Sequence, residues 1–532
     1  MNIRPAHPVH IVPIPASYAA RDGVFRLDAA TTILSKIGTK AEAEMLADIL
    51  STSLGSRLEI IEKRVPTGNR LRLELANSST PAEGYVLKVT PDEVLVRASS
   101  AAGVFYGLQT LLQLLPAEAL GSTAADHWSI PCLDITDAPR FAWRGAMIDV
   151  ARYFFPVDYI KRFIDLLAMH KMNVLHLHLT DDQGWRLEIK KYPRLASVGA
   201  YRRETLTTHL GPNKESHLLP GNGIPHSGFY TQDEAREIVE YARKRHIVVV
   251  PEIELPGHAR AAIAAYPEFG TRAEPVEVGK SWGPHEDVFK PSPETFAFLE
   301  DVLTEVMDIF PSTFIHIGGD EVIKDQWESS EYCRALMADL GLKNGQELQS
   351  YFIRHFDAFL SDRGRRLVGW DEILEGGLAS GATVMSWRGE SGGTAAATAG
   401  HDVVMTPESY TYLDLYQTED IEQEPKAIGG YLPLEKAYSY DPIPMAIPVD
   451  KAHHVLGAQA QVWTEYISTP GHLEYMAFPR LCALSEAMWC ERINKNFDGF
   501  MHRLQNSHLQ RLDTLGVGYR PLTRPTPPVT NL

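Results

Sequence analysis

The chain has 532 residues, 44% of them hydrophobic and 22% charged, which is ordinary globular composition and enough for a core that needs neither metal nor disulfide. Lys and Arg number 51 against 68 Asp and Glu, and the net charge of −17 argues against nucleic acid or an anionic membrane as the main partner, since both require local positive charge. No apolar run reaches the roughly 18 residues of a membrane-spanning helix.

Met1-Asn-Ile-Arg-Pro5 lacks the apolar stretch of a secretory leader, so the chain as written is expected in the cytoplasm, or in the periplasm or medium had a leader been trimmed. Residues 1–137 read as a small α+β domain. Short β-rich runs fall at 57–61, 70–75, 84–90 and 93–98, and Arg70-Leu-Arg-Leu-Glu-Leu75 alternates with period two. Ala101–Leu115 then reads as a helix carrying Val104, Leu108, Leu111, Leu112 and Leu115 on one face, and an antiparallel sheet is expected beside it. Asp137-Ala-Pro-Arg140 marks a boundary.

From Phe141 onward strands alternate with helices. Strands are predicted at 145–150, 173–180, 247–253, 314–318, 366–369, 383–386, 402–406 and 455–461. Amphipathic stripes lie between several of them: Ile160, Phe163, Ile164 and Leu167; Ala235, Ile238, Val239 and Ala242; Phe296, Leu299, Val302, Leu303 and Val306. Eight strands with crossovers predict an α/β fold of the (β/α)8 TIM barrel type over residues 138–490. Residues 491–532 read as a helical extension ending in a Pro-rich tail. Cys132, Cys333, Cys482 and Cys490 match no zinc or redox spacing, and are expected to be reduced or simply buried.

Active sites of such barrels lie at the carboxyl ends of the strands. The residues there are Arg152 after strand one, Asp181 and Trp185 after strand two, and Glu252, Glu254 and His258 after strand three. Asp320 and Glu321 follow strand four. Trp370, Asp371 and Glu372 follow strand five, and Trp387 and Arg388 strand six. Tyr410, Tyr412 and Asp414 follow strand seven, and Trp463 and Glu465 strand eight. Carboxylates set among flat aromatic walls suit a sugar, whose apolar face stacks on rings while its hydroxyls meet charged groups. Two adjacent carboxylates after Gly318-Gly319 cannot both ionise freely, so one should be raised in pKa, giving a protonated acid beside an ionised neighbour.

The stretches Arg144–Arg152, His176-Leu-His-Leu-Thr-Asp181-Asp-Gln-Gly-Trp185, Pro251-Glu-Ile-Glu-Leu-Pro-Gly-His258, His316-Ile-Gly-Gly-Asp320-Glu321, Gly369-Trp370, Ser386-Trp387, Tyr412-Leu-Asp414 and Trp463-Thr-Glu465 resemble, in order, those of glycoside hydrolase family 20, the β-N-acetylhexosaminidases. Tyr153 departs from the His that many members carry. The resemblance implies exo-acting, retaining release of a terminal non-reducing β-linked N-acetylhexosamine, GlcNAc or GalNAc, with the substrate's own acetamide as nucleophile and an oxazolinium intermediate. Carried over by position, Glu321 is the acid and later the base. Asp320 orients the acetamide, Tyr412 bonds its oxygen, and Asp181 with His258 forms a relay behind Glu321. Trp370, Trp387 and Trp463 wall the pocket, and Arg152, Asp414 and Glu465 bind hydroxyls. No cofactor and no metal is implied. The expected partner is an oligosaccharide or glycan terminus, neither nucleic acid nor membrane, and a homodimer is left open.

Two other readings fit parts of the pattern. His176 and His178, with His258 and His316, could ligate a metal as in an amidohydrolase-type barrel, although hydrogen-bonded packing inside the barrel is preferred for the first two. A non-catalytic sugar-binding protein would have no need of the acid, its neighbour and the relay together. Trp185 could be structural, and Glu252, Glu254, Asp371 and Glu372 could be rim salt bridges.

Overall fold

The computed structural model describes residues 9–63, 68–76, 81–206 and 221–522. Residues 1–8 and the Pro-rich end after Leu522 fall outside them.

Eight parallel strands close into a barrel: Trp143–Asp149, Val174–His178, Val248–Glu252, Phe314–His316, Arg366–Trp370, Thr383–Ser386, Val403–Met405 and Val455–Val462, the last pairing with the first. All eight coincide with predicted runs. Helices Val157–Met169, Gln232–Arg243, Pro293–Ile309, Gly345–Ser361 and Ser391–Ala399 cover the barrel. Ile160, Phe163, Ile164 and Leu167 are fully buried, as the first stripe requires. Helix starts follow local chemistry: Thr231 and Glu234 form a capping box, and Ser292 caps a helix that opens with Pro293. The crossover from the fifth to the sixth strand has no full helix, only the short 3-10 turn Asp371–Leu374, because a Gly376-Gly377 pair interrupts its twelve residues. Among the described residues no helix is long and apolar enough to cross a membrane.

The small domain that precedes the barrel differs from expectation in its sheet. Its seven strands run in the order Ser17–Asp28, His127–Asp137, Tyr85–Val89, Glu93–Ala98, Arg70–Leu75, Thr32–Ser35, Glu59–Ile61. The pairs joining 93–98 to 70–75, 70–75 to 32–35 and 32–35 to 59–61 are parallel, so the sheet is mixed. The pair 32–35 and 59–61 is joined by helix Lys40–Leu54, a crossover that the sequence reading missed and that returns the chain in the same direction. The predicted helix is present as Ala101–Leu114, with its five stripe residues buried.

Polar groups lock this domain to the barrel. Lys171, fully buried, donates from Nζ to Asp137 (2.9 Å) and to the Tyr85 hydroxyl (2.9 Å). Trp489, on the last barrel helix Arg480–Trp489, donates from Nε1 to the same Asp137 at 3.0 Å, and its carbonyl accepts from the Arg140 N–H. The Arg144 guanidinium reaches Glu83. Arg511, in the C-terminal helix Leu509–Thr514, donates to the carbonyls of Leu112, Gln113 and Leu115 at the end of the small domain's helix. The four cysteines are buried and unpaired.

Candidate active site

A cavity of about 290 Å³ opens at the carboxyl ends of the barrel strands. Arg152, Asp320, Glu321, Trp370, Trp387, Tyr412, Asp414, Trp463 and Glu465 all line it. These are nine of the eleven residues singled out from the sequence. Asp181 and His258 lie behind the wall. The cavity is also lined by Glu408, Leu415, Gly283-Pro284 and Ile428–Gly430, which no pattern in those loops announced.

The aromatic wall is continuous. Ring centroids are 5.8 Å apart for Trp370 and Trp463, 6.4 Å for Trp463 and Tyr412, and 6.3 Å for Tyr412 and Trp387, the last pair nearly parallel at 23°. Each of two indoles is held by a carboxylate behind it: Trp370 Nε1 donates to Glu252 (2.8 Å) and Trp387 Nε1 to Glu372 (2.9 Å).

The carboxylate pair sits on a strained turn. Gly318 has φ +66°, and a Cβ there would lie 1.8 Å from Glu254 Oε2, so only glycine fits. Glu321 itself has φ +47° and His258 φ +45°, left-handed conformations that non-glycine residues rarely keep outside functional sites. His258 Nε2 lies 3.6 Å from Asp320 Oδ2 and 3.6 Å from Glu321 Oε2. Its Nδ1 lies 3.2 Å from both Asp181 and Asp182. Arg152 faces Asp181 at 3.0 Å, Asp149 at 3.2 Å and Glu465 at 3.8 Å, and its Nε donates to Gln183 at 2.9 Å.

Asp320 Oδ1, Asp414 Oδ1 and Glu465 Oε2 are buried and have no protein donor among the described residues. All three belong to residues that line the cavity. Buried acceptors ordinarily have partners, so this pocket is built for a ligand rich in O–H and N–H groups.

The electrostatics correct one expectation. The raised carboxyl is Asp320, pushed to about 6 by burial and by the negative charge of Glu321, against the pull of His258. Glu321 is instead held below the usual Glu value: burial raises it, but its contact with His258 outweighs that. The reason is exposure. The Glu321 side chain is 41% exposed and that of Asp320 12%, so the desolvation falls mainly on Asp320. His258 is raised well above the ordinary His range, because Asp181 and Asp320 overcome its burial. Asp414 is raised by burial and by Glu465.

All four acids set aside as rim salt bridges are buried. Glu252 is fully buried and accepts from Trp370 and from His178. Glu254 is buried without a donor on either oxygen among the described residues, and burial drives its pKa well up. Asp371 does pair with Arg388 and accepts from the Trp387 and Arg388 N–H groups; Glu372 holds Trp387. Trp185 is structural: its indole is buried and donates to the Leu187 carbonyl. His176 and His178 face the barrel interior. Gln459 donates to His176 Nδ1 at 2.9 Å, and both nitrogens of His178 are engaged, by Glu252 and by Asp181 (2.9 Å), whereas Nε2 of His176, His258 and His316 has no hydrogen-bond partner among the described residues.

The sequence model of glycosyl hydrolase family 20, catalytic domain, matches residues 141–492, and that of the family's domain 2 matches residues 9–138. A β-hexosaminidase of Porphyromonas gingivalis is 46% identical over 96% of this chain and 64% of its own length. One of Vibrio furnissii is 40% identical over 77% of the chain and 66% of its own length. The chain thus spans just under two thirds of these two relatives. The solved structure of an exo-β-N-acetylglucosaminidase from Vibrio harveyi, in complex with N-acetylglucosamine, superposes with a TM-score of 0.83 at 34% identity, covering 98% of this chain and 80% of that one.

Proposed function

The chain belongs to glycosyl hydrolase family 20, and from that premise we propose that it is an exo-acting β-N-acetylhexosaminidase that releases a terminal non-reducing GlcNAc or GalNAc with retention of configuration. One observation carries the reading: a cavity of about 290 Å³ walled by three indoles and a tyrosine, in which three buried carboxylate oxygens lack protein donors among the described residues. A pyranose offers apolar faces to the rings, hydroxyls to Asp414 and Glu465, and an acetamide N–H to Asp320.

In the mechanism that follows, Glu321 gives its proton to the glycosidic oxygen as the bond from C1 to the leaving group breaks. The acetamide oxygen, held by the Tyr412 hydroxyl, forms a new bond to C1 on the opposite face. Asp320 accepts from the acetamide N–H and balances the positive charge of the oxazolinium ring. Water, losing its proton to the Glu321 carboxylate, then reopens the ring from the face the leaving group left. His258 and Asp181 govern how readily Glu321 gives and takes that proton. An acetamide N–H on Asp320 favours its ionised form, and an aglycone lying over Glu321 strips it of water and favours its protonated form. Bound substrate therefore moves the shared proton to where the reaction uses it.

Hydrolysis of nitrophenyl β-GlcNAc and β-GalNAc, with nitrophenyl β-glucoside inert, is the expected result. Equal cleavage of the glucoside, which has no acetamide, would overturn the proposal.

A further inference from the structure

The hydrogen-bonded chain behind Glu321 does not end at Asp181. The first oxygen of Asp181 faces His258 and its second accepts from His178 Nε2 at 2.9 Å. His178 Nδ1 donates to Glu252 Oε2. The other oxygen of Glu252 accepts from the pocket indole Trp370 at 2.8 Å, and His176 Nε2 lies 3.0 Å from Oε2. Both His178 and Glu252 have no exposed surface, and they stand opposite one another in register on neighbouring barrel strands. A carboxylate this deep is costly unless charge and donors meet it, so neither residue is accounted for by packing alone.

We infer that His178 and Glu252 are positioning residues of the reaction, the inner end of a chain Glu252–His178–Asp181–His258 that orients the acid and sets its proton affinity, while the same Glu252 fixes the Trp370 wall. This rests on the reading of Glu321 as the acid. The groups facing His178 are Glu252, Asp181, Glu254 at 4.0 Å, Asp149 in register on the neighbouring first strand, and the edge of Trp463, whose ring centroid is 4.9 Å away. Burial disfavours a charge on this imidazole, but Glu252 and the bond to Asp181 outweigh it and raise its pKa to about 10. A charged His178 satisfies one side of Asp181. Asp181 is thereby kept from holding His258 too firmly as an imidazolium, and the proton on Glu321 stays available. Arg152 meets Asp181 on the same oxygen that His178 does, so the sugar-binding guanidinium shares this anchor.

The test uses the full chain with His178→Gln and Glu252→Gln, each of which keeps hydrogen-bonding capacity and removes the charge pair. For both, kcat/KM on an unactivated β-GlcNAc disaccharide should fall about tenfold or more, a part of the roughly 10²–10⁴ that a general acid supplies. On a dinitrophenyl substrate, whose leaving group needs no proton, the loss should stay under about threefold. The alkaline limb of the disaccharide profile should move to lower pH in both variants. Equal losses on the two substrates with a superimposable pH profile would overturn the inference and leave a purely architectural role. Glu321→Gln measured alongside separates the two levels: if that variant shows no dependence on leaving group, the acid assignment itself fails. Should either variant not fold, ¹⁵N-histidine spectra of the wild-type protein at pH 9 decide. A doubly protonated ring assigned to His178 is expected, and a singly protonated His178 would overturn the charged-His178 argument.

Discussion

The inverted proton affinities of Asp320 and Glu321 make a prediction about pH that is opposite to the simplest one. If Asp320 merely had to be ionised, activity would rise through its pKa. But in the proposed mechanism the productive arrangement has one proton on the pair, carried by Glu321, and the pair loses its last proton at about 6 in the empty site. Because kcat/KM reports the free enzyme, it should fall on the alkaline side with an apparent value near 6. One unit above that value only about one molecule in eleven retains the proton, so kcat/KM at pH 7 should be about a tenth of its plateau. On the acid side the plateau should extend below the usual Glu range, since Glu321 is held low by His258. Asp320→Asn leaves Glu321 alone next to His258, so the alkaline limb should move to lower pH as the overall rate drops. The assay is kcat/KM for nitrophenyl β-GlcNAc from pH 4 to pH 9, with release followed discontinuously so that nitrophenol ionisation does not intervene. A kcat/KM that climbs between pH 5 and pH 7, or an alkaline limb unmoved in Asp320→Asn, would refute the reasoning.

Glu321→Gln should lower turnover by at least about 10², less with good leaving groups; equal impairment on nitrophenyl and disaccharide substrates would show that Glu321 is not the acid. Successive fluorination of the acetamide methyl should slow hydrolysis steadily, and a thiazoline analogue should bind far more tightly than product, whereas a flat fluorine series or a sugar trapped on Asp320 would exclude substrate assistance. Gly318→Ala forces a Cβ against Glu254 and a left-handed alanine, so unfolding in urea should show a loss of about 1–2 kcal/mol from the backbone alone. Turnover should fall roughly 10² because Glu321 is displaced with the turn, and a variant with wild-type turnover would show that the turn does not position the acid.

The barrel was legible because each inner strand is a short apolar run ending at a polar or glycine-rich turn, and the strand ends alone located nine lining residues. The small domain was harder. Ser17–Asp28 is mostly exposed and carries no alternation to read, and helix Lys40–Leu54 has only a weak stripe, so the parallel pairing that it creates could not be anticipated. Glu252 shows the limit on the site. Its position after strand three was visible, but its role depends on His178 and Trp370, brought to it from 74 and 118 residues away by closure of the barrel. Which carboxyl of the pair holds the proton depended on exposure, a property of the folded surface that adjacency in sequence does not carry.

Lys171 has a further consequence. Its ammonium lies inside the seam between the small domain and the barrel, and Asp137, its counter-charge, belongs to the last strand of the small domain. Cutting the chain near residue 138, where the two family matches meet, would take away both Asp137 and Tyr85 from that cation and bare the apolar seam around it to water. Trp489 and Arg511 would lose their acceptors in the same cut. The barrel is therefore not a detachable catalytic module. An excised version meant for engineering would need Lys171, Trp489 and Arg511 redesigned first, and insertions or fusions are better placed in the exposed loops than at the apparent domain border.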